Sequence, residues 1–322
     1  MLPTPTTAQP EVAWPRRRLL RGALLAAGSA SVLAACGRRP AEVPGRRVDY
    51  SDIDQAPAVA KGPVGVDLPD TPTLRRIRER GTLVQSGVHT FPGFGLENPR
   101  TGEITGFDAG MAQLLAKYLL GRPSVDTAVG SADAREALLQ NHSVDAVVST
   151  YTISASRARL VNFAGPYLVV RSGVAVAADE SGVRTLADLA GQDVAVQPGA
   201  AEDALRKAVP GANPVRFDET TQCAAAVRQG RVRAWSANTA ILLGRCAVDP
   251  RIRATDIVFG HSPFGIGLPK DDPEFKQVVG GFLRQIMADG TWRSLWELTV
   301  GVLLGASTPA PRPPALGSEH GS

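Results

Sequence analysis

The amino-acid sequence predicts an α/β fold with mostly parallel sheets. Strand-like segments alternate with segments of helical period through the middle of the chain, and the proline-rich stretches are confined to its two ends. The chain has 322 residues, 43% hydrophobic and 20% charged, which is enough for one large or two medium domains. No internal repeat of fixed period competes with this interpretation.

Residues 1–35 are predicted to be a lipoprotein signal peptide. A cationic start, WPRRRLLRG, is followed by an apolar stretch too short to span a bilayer, and then by LAAC, which resembles the bacterial lipobox. That resemblance implies cleavage before Cys36 and a lipid on its sulfur, which would hold the protein at the outer face of the membrane. A free cysteine closing a buried helix is the alternative, and the ordered sequence of all three features disfavours it. The arginines suit either the general secretory or the twin-arginine route.

The two ends of the mature chain are predicted to be irregular. Residues 36–73 show neither helical nor strand period and are rich in proline, glycine and charge, so we expect the lipidated cysteine and a flexible tether. Residues 304–322 are predicted to form a disordered proline-rich tail.

The first half of the domain begins with a short basic helix around Leu74 and Ile77, which Gly81 ends, and continues into the strand TLVQSGV. After the turn GEITGFD, apolar residues recur at helical spacing, at Met111, Leu114, Leu115, Tyr118 and Leu119. A second helix over residues 134–140 leads into the strand VDAVVST.

The second half repeats the alternation. Strands are predicted at SGVAVAA, DVAVQ and VRAWSA, each followed by a helical segment, the last of which starts at Thr239. A long amphipathic helix from Phe275 to Met287, ended by Gly290, completes the pattern.

Charge and histidine content exclude two classes of partner. The formal net charge is +4, but four arginines and one glutamate within residues 1–35 supply three of those charges, and no basic stripe interleaved with aromatic residues follows. We therefore expect no nucleic-acid partner. Four scattered histidines form no metal-binding pattern, so neither a metal nor another cofactor is expected.

Two cysteines remain once Cys36 is set aside. Export would place Cys223 and Cys246 in an oxidising compartment, where a disulfide between them would stabilise the fold by about 3 kcal/mol. Two separately buried thiols are the alternative, because a sequence cannot give the distance between the sulfurs.

A polar run, STYTISASR, follows directly on the apolar strand VDAVV. In open α/β sheets, ligands sit beyond the carboxyl ends of strands, so this run is a candidate ligand site. The planar fork of Arg157 suits a carboxylate. The alternatives are that Thr152 or Ser154 only caps the next helix and that Arg157 makes a surface ion pair.

The order of motifs resembles the solute-binding proteins of polar amino-acid ABC importers, in the glutamate/glutamine-binding subgroup and especially its actinobacterial lipoproteins. The resemblance rests on five segments that follow one another in the order typical of the family: GEITGFDAGMAQLLAKYL, LLQNHSVDAVVSTYTISASRARLVNFAGPYL, TLADLAGQDVAVQPGAAEDALR, TTQCAAAVRQGRVRAWSANTAILLG and FGIGLPKDDPEFKQVVGGFLRQIMADGTWRSLW. The resemblance implies a two-lobed type 2 periplasmic-binding-protein fold with two hinge strands. Lobe 1 would comprise residues 74–171 plus 263–303, and lobe 2 residues 172–262, with the ligand clamped between them.

The resemblance also implies a set of site residues. Thr152 and Arg157 would hold an amino acid's α-carboxylate, and Arg135 would face a side-chain carboxylate, unless it pairs with a neighbouring acid. Further ligand-binding positions implied in this way are Thr150, Tyr151, Phe91, Asn238, Gly199 and Ala201, with core packing as the alternative for Phe91.

The sequence departs from the family where an amino acid's ammonium group needs a counter-charge. Val88 and Asn238 stand at positions where relatives carry aspartate, and Ala201 removes a hydroxyl from the turn after Gly199. Losing an ionic partner to a buried ammonium typically costs a few kcal/mol. We expect either a carboxylate without a nearby amine or a weakly bound amino acid.

The expected function is that of a monomeric, lipid-anchored extracytoplasmic receptor that captures a small carboxylate-bearing solute, such as glutamate, glutamine, aspartate or a related anion, for an ABC permease. A sensor that signals through a membrane protein is the first alternative. A dehydratase-type enzyme on the same fold is the second, although Glu202, Asp203, His89 and His261 form no evident acid/base pair.

Overall fold

The computed structural model describes residues 52–129, 132–304 and 310–317. The predicted signal peptide and Cys36 lie outside the described residues. Eleven strands lie within those ranges: β1 Leu83–Gly87, β2 Thr90–Phe91, β3 Gly95–Glu97, β4 Ile104–Thr105, β5 Val125–Val129, β6 Ala146–Val148, β7 Asn162–Ala177, β8 Asp193–Val196, β9 Asn213–Arg216, β10 Ala234–Asn238 and β11 Ile252–Leu268.

The same ranges contain eleven α-helices: α1 Ala56–Lys61, α2 Pro72–Arg80, α3 Phe107–Leu120, α4 Arg135–Gln140, α5 Ala155–Leu160, α6 Ala200–Ala208, α7 Thr220–Arg228, α8 Thr239–Val248, α9 Pro273–Ala288, α10 Thr291–Leu298 and α11 Val300–Leu304. Helix α2 shows how local chemistry sets such bounds. The Thr71 hydroxyl accepts a hydrogen bond from the amide of Leu74, Pro72 occupies the first turn, and Gly81 ends the helix at φ +75°.

One eight-stranded mixed sheet organises the molecule, in the order β5-β1-β6-β11-β7-β10-β8-β9. The pairs β1–β5 and β1–β6 on one flank, and β10–β8 and β8–β9 on the other, are parallel, whereas the two long central strands β7 and β11 are antiparallel. These central strands run through both halves of the sheet. The predicted α/β fold of two lobes joined by two crossing strands is confirmed, with a mixed rather than mostly parallel sheet.

The two crossing strands are irregular where they pass between the lobes. Their pairing shifts register between Phe259 and Ser262, opposite Val170 to Ser172. Such a bulge bends the strand that carries it. The predicted lobe boundaries at 171/172 and 262/263 fall at this bulge, and they remain predictions.

The hydrophobic core covers both faces of the sheet. Helices α3 and α9 bury Leu114, Phe275 and Phe282 completely on one face of the first half, and Tyr151 packs with Phe163 on the other, with ring centroids 4.8 Å apart. In the second half, Val194, Val196 and Leu205 belong to a cluster of their own. Helices therefore cover the sheet on two sides, as the alternating pattern predicts.

The segment before α2 is packed rather than free. Gln55 is 2% exposed, its side chain accepts a hydrogen bond from the amide of Gly106, and Lys117 donates to the carbonyls of Val59 and Ala60. The prediction of a tether up to residue 73 is therefore corrected for residues 52–71. Helix α1 is too short to show a period in sequence, and its contacts come from residues far along the chain.

The C-terminal segment also departs from expectation. Ala310 and Leu316 pack against the core, and the amide of Gly317 donates to the carbonyl of Gly165 at 3.0 Å. Residues 310–317 of the predicted disordered tail therefore lie on the domain, and Leu304, its first residue, ends helix α11.

Candidate ligand-binding cleft

A small cavity of about 70 Å³ lies between the lobes, beside the carboxyl ends of β6 and β10. Its lining includes seven of the nine ligand-binding residues predicted from the sequence: Phe91, Arg135, Thr150, Thr152, Arg157, Ala201 and Asn238. The remaining lining residues are Gln197, Pro198, Ala200, Ala237 and Ile241. Depressions of about 470 and 530 Å³ near Ala177 are larger, but second-lobe residues alone line them.

Arg157 reaches from the first lobe towards the second. Its Nε donates to Glu136 Oε1 at 3.0 Å and its Nη1 to the carbonyl of Thr152 at 3.0 Å, which leaves the side chain 18% exposed. Its Nη2 points to the turn at Gly199, where a Cβ would lie only 3.3 Å away. Residues of its own lobe thus hold the guanidinium, while its Nη2 lies on the side that faces the second lobe.

Arg135 supplies a second positive charge to the same wall. Its guanidinium lies over the ring of Tyr151, 5.6 Å from the centroid, and that of Arg157 lies over the same ring at 4.8 Å. Burial, together with the like charge of Arg157, lowers the pKa of Arg135. Within the described ranges no carboxylate forms an ion pair with Arg135, so this wall attracts an anion.

Tyr151 forms the floor under both arginines rather than part of the lining. It is completely buried, and burial raises the pKa of its phenol. The structure places Tyr151 beneath the cavity lining, and its contact with a ligand stays a prediction. Gly199 is not among the lining residues, but a Cβ at this position would lie 3.3 Å from Arg157 Nη2.

A buried network beneath the cleft sets the backbone of Thr150. This residue has φ +45°, a left-handed conformation that a β-branched residue seldom adopts. Its amide donates to Asp108 Oδ2 at 2.6 Å, and the Tyr167 hydroxyl donates to Asp108 Oδ1 at 2.8 Å. Burial raises the pKa of Asp108 to about 7, against the lowering effect of these hydrogen bonds.

Sequence reasoning missed this network. Asp108 belongs to the quoted turn GEITGFD, and its only sequence signal is an acidic residue at the start of an apolar helix. Such a residue more often serves the helix dipole. Its partners lie 42 and 59 positions along the chain, so tertiary packing alone brings them together.

The second lobe contributes neutral groups. Gly199 precedes α6 with φ +101°, and the amides of Ala200 and Ala201 form the start of that helix. Asn238 caps α8, because its Oδ1 accepts a hydrogen bond from the amide of Ile241 at 2.9 Å. Gln197 donates its Nε2 to the carbonyl of Asp218 at 2.9 Å.

The aromatic and apolar positions of the first lobe divide between cleft and core. Phe91 lines the cavity and is 6% exposed, whereas Val88, at the position where aspartate was expected, belongs to the hydrophobic core. The lobes touch beside Phe91: the Thr90 hydroxyl donates to Glu219 Oε2 at 3.1 Å, and Arg245 Nη2 donates to the carbonyl of Thr90 at 2.6 Å.

Two sequence-based expectations concern thiols and metals. Cys223 and Cys246 are free thiols, so the structure has no disulfide between them, and burial raises the pKa of each to about 12.

Across the described ranges no group of three His, Cys, Asp or Glu side chains is placed to hold a metal ion. Across those same ranges no helix combines the length and apolar character needed to cross a bilayer.

Comparison with known proteins identifies the family. The model of the bacterial extracellular solute-binding proteins, family 3, matches residues 84–297. The chain belongs to this family.

Similar proteins of known name support this assignment. The chain is 31% identical over 208 residues to the glutamine-binding protein of Geobacillus stearothermophilus, covering 64% of this chain and 79% of that one. It is 29% identical over 236 residues to the glutamate-binding protein GluB of Corynebacterium glutamicum, covering 69% and 80%. The resemblance stated from the motifs is confirmed at the level of the family.

A solved structure extends the likeness to three dimensions. The ancestral amino acid-binding protein AncCDT-1, described as a precursor of cyclohexadienyl dehydratase, matches with a TM-score of 0.64 and 30% identity over 70% of this chain and 98% of that one. The two-lobed architecture is thus shared with solved binding proteins.

Proposed function

We propose that this protein is the extracytoplasmic receptor of an ABC importer and that it captures a small carboxylate-bearing solute between its lobes. Family membership supports this class of function, because the relatives named above are glutamine- and glutamate-binding proteins and another relative is the ABC transporter glutamine-binding protein GlnH of Bacillus subtilis. The observation that carries the proposal is the cavity lined by Arg135 and Arg157 from one lobe and by the start of α6 from the other.

The chemistry of this cavity supports a carboxylate ligand. Arginine presents two parallel N–H groups that match the two oxygens of a carboxylate. Helix α6 adds the unsatisfied amides and partial positive charge of its first turn. A ligand that touches both walls would hold the lobes together, which is how two-lobed receptors couple binding to closure.

The proposal includes a lipid anchor on Cys36 at the outer face of the cell membrane, with a permease as the membrane partner and a monomeric receptor. The lipobox-like LAAC and the cationic, apolar segment before it support the anchor. Replacing Cys36 with serine should release the protein from the membrane fraction, and labelling with a radioactive fatty acid should disappear at the same time.

Binding is favoured over catalysis by the composition of the cleft. None of the lining residues among the described part of the chain is a carboxylate, a histidine or a cysteine, and general acid/base chemistry depends mainly on such groups. The sensor alternative differs from transport in the partner, not in the cleft. Solute uptake by cells with and without this chain would separate the two.

A ligand screen tests the core of the proposal. Amino acids and simple carboxylates are added to the full chain in a mild detergent, and the unfolding temperature is measured. A ligand that binds the folded state should raise this temperature in proportion to ln(1 + [L]/Kd), and Arg157→Ala should abolish the rise. A rise that persists in Arg157→Ala would contradict the proposed site.

A further inference from the structure

We infer that the cleft selects organic dianions carrying two carboxylates and no ammonium group over zwitterionic amino acids. This inference rests on the proposed function and names the solute class for the same site. It is carried by the charges and hydrogen-bond roles of the lining groups.

Among the described residues, none that lines the cleft carries a negative charge to pair with an ammonium group. Its described lining holds two arginines and neither aspartate nor glutamate. Two carboxylates behind the first wall are engaged: Glu136 Oε1 accepts from Arg157 Nε, and both oxygens of Asp108 accept hydrogen bonds, from the Thr150 amide and the Tyr167 hydroxyl. A buried ammonium beside two guanidiniums would be repelled and left without an ionic partner.

Asn238, which lines the cavity, has an amide nitrogen to offer a ligand as a donor. Its Oδ1 is occupied by the amide of Ile241, and none of the hydrogen bonds in the described ranges involves its Nδ2. The amide nitrogen is the group left for a ligand, and it can only donate. A donor at this position suits a carboxylate oxygen and opposes an ammonium.

Neutral acceptors in the cleft do not balance this preference. The hydroxyl oxygens of Thr150 and Thr152 and the Oε1 of Gln197 can accept a hydrogen bond from an ammonium. They carry no charge, so they replace the hydrogen bonds of water but not the ionic partner.

The two arginines fit two carboxylates. Both guanidiniums line the cavity, and each lies over the Tyr151 ring, at 4.8 and 5.6 Å from its centroid. Glu136 offsets the charge of Arg157, whereas no carboxylate in the described ranges forms an ion pair with Arg135, so the wall keeps a net positive charge. A dicarboxylate can accept hydrogen bonds from both guanidiniums at once, whereas a monocarboxylate has one group to share between them.

The volume favours a short chain. A cavity of about 70 Å³ is only several times the roughly 10–15 Å³ that a single water needs. Succinate and glutarate are short dicarboxylates, with four and five carbons. We take these two as the probes.

Matched pairs test the inference directly. Isothermal titration calorimetry on the full chain, at one ionic strength, compares succinate with aspartate and glutarate with glutamate, which differ within each pair by the ammonium group alone. We expect the dicarboxylate to bind at least tenfold more tightly in at least one pair. Equal affinity, or tighter binding of the amino acid, in both pairs would overturn the inference.

Asn238→Asp sharpens the test without disturbing the fold. Aspartate caps a helix as well as asparagine does, so one side-chain oxygen still accepts the hydrogen bond from the Ile241 amide. The other oxygen, which is a charged acceptor, replaces the Nδ2 donor of Asn238. We expect the preference for the dicarboxylate to fall at least tenfold in this variant. An unchanged preference, with an unchanged unfolding temperature, would count against the role of Asn238.

The outcomes for the two proposals are distinguishable. Tight binding of glutamate or glutamine that Arg157→Ala abolishes overturns the inference and supports the proposed function. If none of the probes and amino acids changes the calorimetric signal or the unfolding temperature, both fail.

Discussion

The two walls of the cleft are built from different chemistry. The first lobe supplies two guanidiniums and two threonines, supported by the buried Asp108 and by Tyr151, whereas the second lobe supplies backbone amides and neutral side chains. Charge is therefore concentrated on one wall. If a carboxylate binds here as proposed, we expect it to dock first on the positively charged first lobe, with the second lobe closing over it afterwards.

The support behind the two walls differs as well. Arg157 is held within its own lobe by Glu136 and by the carbonyl of Thr152, so its guanidinium is oriented before a ligand arrives. The opposite wall depends on backbone geometry, since Gly199 at φ +101° directs the amides of Ala200 and Ala201. Orientation before binding lowers the entropy cost of binding on the first wall.

The largest expected effect comes from removing the charge of the first wall. Arg157→Ala should weaken binding of the true ligand by at least a hundredfold, because hydrogen bonds to a charged group are worth about 1.5–3 kcal/mol each. Arg159 is an exposed arginine on the same helix. Arg159→Ala is therefore the matched control and should leave the calorimetric Kd unchanged. If Arg157→Ala weakens binding by less than threefold, the first wall does not supply the main attraction for the ligand.

The next effect concerns the support of the first wall. Burial raises the pKa of Asp108 to about 7, above the value of about 3.9 in an unfolded chain. The folded state therefore binds the proton more tightly, and the stability this gives at low pH is lost as the pH rises through about 7. From pH 5 to pH 8 the free energy of unfolding should fall by roughly 1–3 kcal/mol more in the wild type than in Asp108→Asn.

Urea unfolding at both pH values measures this difference. Parallel pH dependence in the two proteins would show that Asp108 does not titrate in this range. The comparison with Asp108→Asn cancels the contributions of the other titrating groups.

A smaller effect is expected on the second wall. Gly199→Ala places a Cβ 3.3 Å from Arg157 Nη2 and strains a backbone at φ +101°, so affinity should fall by about tenfold at a strain of roughly 1–3 kcal/mol. Gly191→Ala is the control, because its φ of +71° is also unfavourable but its Cβ would meet no atom within 4 Å. Both variants should lose stability, and only Gly199→Ala should lose affinity.

The smallest effect is expected where the two walls meet. Thr90→Val keeps the shape of the side chain but removes the hydrogen bond to Glu219. Closure should become less favourable by about 0.5–1.5 kcal/mol, which corresponds to a weakening of binding by roughly two- to tenfold. Small-angle scattering of the ligand-free variant should give a larger radius of gyration. An unchanged radius and an unchanged Kd would show that this contact does not hold the lobes.

The sequence predicted the parts of the fold that local pattern controls. The strands TLVQSGV and VDAVVST contain β1 and β6, and the helix placed over Phe275 to Met287 lies within α9. The packed segment 52–71 escaped prediction because its order comes from partners such as Gly106 and Lys117, which lie about fifty residues further along the chain.

The candidate site divides in the same way. Arg157 and Thr152 follow a strand, and their place at the sheet edge was predictable from topology. The role of Tyr151 as a floor and that of Asp108 as a support depend on side-chain directions across three elements, which no single segment encodes. The position of Asn238 was predictable, but the occupation of its Oδ1 by a helix cap required the structure.

Because the packed segment begins at Asp52, the length of chain that could separate a lipid on Cys36 from the packed domain is shorter than the sequence predicted. Cys36 and Asp52 are 16 positions apart, a contour of at most about 55 Å, whereas a free chain up to residue 73 would reach about 130 Å. A lipid on Cys36 would therefore pull on the first lobe alone and keep it near the bilayer. The second lobe, which carries no such restraint, would be the half free to swing.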